Sequence, residues 1–256
     1  MVRAVTFTIF GHRGSPATHP ENSLEGFRHA LSVGASALEL DVHVTRDGRV
    51  VVLHDDDGVR VAGVNRRVAD VTWAELREWD LGAKFERPNG EAPFTGVRVP
   101  LLSAVLEELG GVTLNIDIKA HGAHVVPAVL RVVRAHRRAG TVRLASFSQS
   151  TLRRVRGAGY EGPVGMGPVE VAALRFLPSV LAARSVHGDA AQVPLAQGAI
   201  RFDTAAFVER AHRLGRVVHY WTIDSEAEAA RLRDLGADGI VTNDPGRLAA
   251  SLRGGR

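Results

Sequence analysis

The chain has 256 residues, 45% of them apolar and 23% charged, an ordinary globular composition with enough length for a sizeable core. It has no cysteine, which excludes a disulfide framework, a thiolate zinc site and a cysteine nucleophile. The formal charge is only +4, and the basic residues are arginine apart from Lys84 and Lys119, so the basic excess reads as a solvated face and no nucleic-acid partner is expected.

The opening MVRAVTFTIFGHRGSP lacks a charged region followed by a long apolar core, and no run reaches membrane-spanning length. A cytoplasmic address without stable membrane insertion is the expectation. In chain order, strand-like runs lie at 5–11, 37–45, 112–119, 142–148, 163–167, 189–195, 216–222 and 238–244. Helix-periodic runs separate most of them: SLEGFRHALSVG, SAVLEELGG, AHVVPAVLRVVRAHRR, TLRRVRGAG, TAAFVERAHRLG and SEAEAARLRDLG. Several close on Gly, as helix C-termini often do. This alternation predicts an α/β fold, a (β/α)8 TIM barrel in one domain spanning 1–256, with a doubly wound open sheet as the other arrangement. Residues 56–100 break the rhythm with a short helix pattern, TWAELREWDLG, and a Pro/Gly-rich stretch. They read as a small insertion after the second strand hairpin. FLPSVLAAR (176–184) reads as a core helix, an apolar lip being its other reading.

The chemistry starts in ELDVHVTRDGRVVVLHD (39–55). Residues i and i+2 of a strand share a face, so Glu39, Asp41 and His43 point one way and the apolar residues the other. Inward carboxylates on a buried strand need a cation or donors. Asp47-Gly48 predicts a two-residue turn, which would place Asp41 opposite His54. TLNIDIKAHG repeats the pattern, with Asn115, Asp117 and Lys119 on one face. Glu39, Asp41 and Asp117 on neighbouring strands favour one hard divalent cation, Mg²⁺ or Ca²⁺. Arg13 and Lys119 beside it describe a site for an anion such as phosphate. His12 and His54 describe an acid and a base. His43 and His219 read as lining residues.

Together GHRG–(x)5–PENS at 11–23, the 39–55 motif, VPLLSAVLEEL, LNIDIK, SFSQSTL and HYWTIDS…LGADGIVTNDP resemble the glycerophosphodiester phosphodiesterases, of the phosphatidylinositol-phospholipase-C-like barrel class. The resemblance runs in order over nearly the whole chain. It implies metal-dependent hydrolysis of a small-molecule glycerophosphodiester to sn-glycerol 3-phosphate and an alcohol. It implies His12 and His54 as the acid/base pair, and Glu39, Asp41 and Asp117 as metal ligands. Arg13 and Lys119 would bind phosphate and Trp221 would contact substrate, with Glu21 and Asn22 near the metal. Two positions depart from the family's usual pattern: Asp117 stands where Glu is usual, and DDDGVRVAGVN follows His54 where an Arg-Thr-Thr-like run is usual. A lysophospholipase D-like or other lipid phosphodiesterase, and a non-catalytic metal- and phosphate-binding module, are the other readings.

Overall fold

The computed structural model describes residues 7–86 and 90–254. The chain runs β1 (Thr8–His12), α1 (Leu24–Val33), β2 (Ala37–Val44) and β3 (Val50–Val52), then β4 (Asp57–Gly58), α2 (Val59–Ala62), β5 (Val64–Arg67) and α3 (Trp73–Leu76). Next come α4 (Leu102–Glu108), β6 (Thr113–Ile118), α5 (Val125–Ala135), β7 (Val142–Ala145), α6 (Gln149–Gly157), α7 (Pro168–Phe176) and α8 (Ser179–Ser185). The last part holds β8 (Ala190–Val193), β9 (Ala196–Gln197), β10 (Ile200–Arg201), α9 (Ala205–Arg213), β11 (Val217–Tyr220), α10 (Glu226–Asp234), β12 (Gly239–Thr242) and α11 (Pro245–Gly254).

Seven strands form a parallel sheet in the order β7-β6-β2-β1-β12-β11-β8. It closes on itself through Val164 and Gly165, which bridge in parallel to Leu144 and Ala190. The run expected at 163–167 is therefore the eighth stave, held by single-residue bridges instead of a ladder. The architecture is a (β/α)8 barrel. Residues 5 and 6 of the expected first strand lie outside the described residues.

The sequence explains most of the helices locally. Ser23, Ser148, Thr204 and Ser225 each cap a helix by accepting a backbone N–H, opening α1, α6, α9 and α10. On α5 the buried Val125, Val126, Val129 and Val133 recur at helical spacing, while Arg131 and Arg134 face solvent. Such faces cover the outer side of the barrel in two apolar clusters, one on β2, β6 and β7 and one on β8, β11 and β12. A third cluster joins Val61, Val68, Leu76 and Trp79 to Val51 and Leu53, so the segment after the hairpin packs on β3.

Three expectations need correction. The hairpin turn has three residues, because Thr45 N–H donates to the Arg49 carbonyl and Val44 pairs with Val50. The Thr45 hydroxyl holds Asp47, and Gly48 takes the left-handed conformation (φ 77°) that closes a three-residue loop. Asp41 then lies opposite Leu53, whose N–H donates to the Asp41 carbonyl, and not opposite His54. FLPSVLAAR is not a core helix: it ends α7 and forms α8, where only Ala182 is buried. The short helix expected in TWAELREWDLG does form, as the single turn α3.

Candidate active site

A cavity of about 730 Å³ opens where the barrel strands end. His12, Arg13, Glu39, Asp41, His54, Asp117, Lys119 and Trp221 all line it. Its walls differ in kind. Strands β1, β2 and β6 contribute charged and polar groups, whereas Met166, Pro168, Val171, Phe176, Val193 and Phe202 form an apolar wall.

The loop after β1 arranges the charged half. Gly14 adopts φ 95° with the backbone of Gly26 so near that a Cβ would lie 2.8 Å from it, so the chain turns tightly under α1. Ser23 caps α1, and the buried Asn22, also left-handed (φ 55°), donates its amide to Asp41 at 3.1 Å. Arg13 Nε lies 3.2 Å from Asp41 and its Nη1 donates to Glu21 at 3.1 Å. Burial raises Glu21, but bonds from Arg60 and the charge of Arg13 outweigh it and leave its carboxyl below its ordinary range.

The two histidines are held differently. The Asn243 amide donates to Asp224 at 2.8 Å, so its carbonyl oxygen faces His12 Nδ1 at 2.7 Å as an acceptor. That assigns the proton to Nδ1 and leaves Nε2 with a lone pair. Burial and then the neighbouring Arg13 hold His12 below its ordinary pKa, in the neutral form. His54 Nδ1 donates instead to the Asp55 carboxylate at 2.7 Å. Because the strand register shifts, His54 reaches the cavity from a bend beyond β3, where His43 Nε2 anchors its carbonyl at 3.0 Å.

Glu39, Asp41 and Asp117 are the side chains that could hold a divalent cation. Asp117 Oδ1 is buried without a hydrogen-bond partner, as is Oδ1 of Asn115 two residues before it. Burial, Asp41 and Asp117 push Glu39 well above the carboxylate range. Unpaired oxygen and crowded negative charge suit a hard cation. As they stand the three do not converge: among the described residues no three Asp, Glu or His side chains form a ready metal cluster. Lys119 Nζ sits between Asp41 (3.2 Å) and Asp117 (2.7 Å) in that space. Burial opposes its charge, but these two carboxylates still hold Lys119 above its ordinary pKa.

Several supporting residues escape sequence reasoning. Arg60 donates to Asp55 at 2.7 Å and to both oxygens of Glu21 at 2.7 Å. It lies within the DDDGVRVAGVN loop that follows His54. Asn243 and Asp224 come from the far end of the chain, where neither strand alternation nor motif spacing marks them as partners of His12.

A sequence profile described as the Glycerophosphoryl diester phosphodiesterase family matches residues 12–247. A glycerophosphodiester phosphodiesterase of Caldanaerobacter subterraneus subsp. tengcongensis is 31% identical, over 96% of this chain and 98% of that protein. A lysophospholipase D of Rattus norvegicus is 26% identical, over 94% of this chain and 84% of that protein. The crystal structure of a glycerophosphodiester phosphodiesterase from Agrobacterium tumefaciens superposes with a TM-score of 0.81 at 24% identity, covering 96% of this chain and all of that one, and so shares the fold. Matched across the barrel and all the residues that line its charged wall, the chain belongs to the glycerophosphoryl diester phosphodiesterase family.

Proposed function

We propose that this glycerophosphodiester phosphodiesterase releases sn-glycerol 3-phosphate and an alcohol by paired histidine catalysis with one divalent cation, Mg²⁺ or Ca²⁺. The observation that carries the reading is the asymmetry of the histidines, one on an amide oxygen and one on a carboxylate, in one cavity with Glu39, Asp41 and Asp117. Neutral His12 takes a proton at Nε2 from the attacking oxygen as the new P–O bond forms. His54 gives a proton to the departing alkoxide as the old P–O bond breaks. Arg13 and Lys119 bind the phosphoryl oxygens, and Trp221 contacts the substrate from the opposite wall. Glu39, Asp41 and Asp117 would hold the cation, which supplies Lewis-acid neutralisation of the phosphoryl charge. Asn22, Glu21 and Arg60 keep the charged wall in place. A module that only binds phosphate and metal would have no use for two imidazoles so differently held.

The test is release of glycerol 3-phosphate from glycerophosphocholine, metal-depleted and then with each cation. Restoration by Mg²⁺ or Ca²⁺ is expected, with at least about a hundredfold loss in His12→Ala and in His54→Ala. Full activity in either variant, or after metal removal, would overturn this reading.

The apolar wall favours a second reading, a lysophospholipase D-like reaction at the same bond. A hydrocarbon chain on the glycerol would lie against Phe147 and Phe176, which line the cavity yet remain 63% and 58% exposed. Cleavage of lysophosphatidylcholine with no cleavage of glycerophosphocholine would select it.

A further inference from the structure

The apolar wall does not end at the mouth of the cavity. It continues outward across α7 and α8, which pack against each other, as Val169, Phe176, Leu177, Val180 and Leu181, and the exposed Phe147 lines the same cavity. Val180 is 67% and Leu181 47% exposed. Single exposed apolar residues are normal, but a run of large ones at the rim of a site marks an interaction surface.

The charge around this run narrows its partner. From Val171 to Gly188 the chain carries no Asp or Glu, while Arg175 and Arg184 fall within it. Arg175 lies over the Phe176 ring at 5.3 Å. Arg184 follows Leu181 by three positions and Val180 by four, so the three share one face of α8. Glu170, the acid just before this stretch, is buried and consumed by Arg156 and by the backbone N–H groups of Gly167, His187 and Gly188. A second copy of the chain paired face to face would oppose arginine to arginine with no acid in the segment to meet it. An apolar face with cations at its border matches instead the boundary of an anionic bilayer.

We infer that the exposed face of α7 and α8 docks this enzyme reversibly on anionic phospholipid surfaces, with the cavity mouth turned toward the lipid. The inference concerns attachment and stands apart from the reaction proposed above.

The full chain would be sedimented with vesicles of phosphatidylcholine alone and of phosphatidylcholine with phosphatidylglycerol, beside a V180S/L181S variant and Arg184→Glu. These positions lie outside the cavity lining, so hydrolysis of water-soluble glycerophosphocholine and the circular dichroism spectrum are expected to stay unchanged. Binding to the anionic vesicles is expected for the unmodified chain, falling at least about tenfold in V180S/L181S as two apolar side chains lose their burial. Arg184→Glu is expected to remove the preference for anionic lipid. No binding by the unmodified chain, or undiminished binding in either variant, overturns the proposal. So does light scattering that shows a dimer which V180S/L181S splits, since a second copy would then cover the face. Loss of hydrolysis with vesicle binding intact would count against the reaction and leave the docking standing.

Discussion

His54 is joined to the rest of the charged wall by a relay of short polar contacts, while His12 rests on Asn243. From His54 it passes to Asp55, Arg60, Glu21, Arg13 and Asp41. Arg60 is its centre, since one guanidinium holds two carboxylates that each orient a different site residue. Its forked geometry matters, because a lysine at that place would offer a point charge in place of a bidentate contact. Arg60→Lys and Arg60→Met are both expected to lower kcat/KM about tenfold, the low end for charge-assisted bonds because the guanidinium is half exposed. Steady-state kinetics would check this, and a Lys variant at full rate would remove the clasp from the account. The side chains that the sequence singles out do share one cavity, because strand alternation fixes which way Glu39, Asp41 and Asp117 point. The partners of those side chains were not legible in the same way. His12 and Asn243 are 231 positions apart, and only barrel closure brings them within reach.

At the level of elements, the eight staves and most helices follow from periodicity and caps, and the failures have local causes. A threonine hydroxyl at Thr45 changes the turn length, and no count of turn residues registers that bond. Helix α7 opens on local signals, Pro168 in its first turn and Glu170 three residues after Gly167, which the expectation of a helix over 176–184 passed over. Glu170 accepts from the N–H groups of Gly167, His187 and Gly188, tying the start of α7 to the chain beyond α8. Burial raises the Glu170 carboxyl, but these bonds and Arg156 outweigh it and hold it below its ordinary value. A carboxyl depressed by folding stabilises the protein above its unfolded pKa and loses that contribution as pH falls through its folded pKa. Glu170→Gln is therefore expected to cost about 2 kcal/mol near neutral pH, as one oxygen becomes a donor facing donors. Urea melts should show the gap between the two proteins closing as pH falls below the carboxylate range.

Across the molecule, one buried imidazole outside the proposed reaction bears on acid stability. His219 is buried inside β11 against Phe10, at 4.9 Å between rings, and its Nδ1 has no partner. Burial, aided by Arg143, pushes it down from 6.5 to about 3. The unfolded chain then binds a proton that the folded chain refuses, so stability falls as pH drops from about 6.5 toward 3. His219→Leu is expected to flatten that acid limb by roughly 3 kcal/mol at pH 4, read as the difference between denaturation at pH 7 and at pH 4. Equal losses in the two proteins would assign the acid limb to other groups.

The division of the cavity wall has a consequence for how such a chain can change. The charged side comes from β1, β2 and β6, three adjacent staves, with Asn243 and Asp224 as props from the end of β12 and the turn after β11. The apolar side comes from the other arc, from the loop after β7 through β11. The side chains proposed to break the bond and the apolar wall thus stand on separate arcs, so the second arc could be remodelled without moving the first.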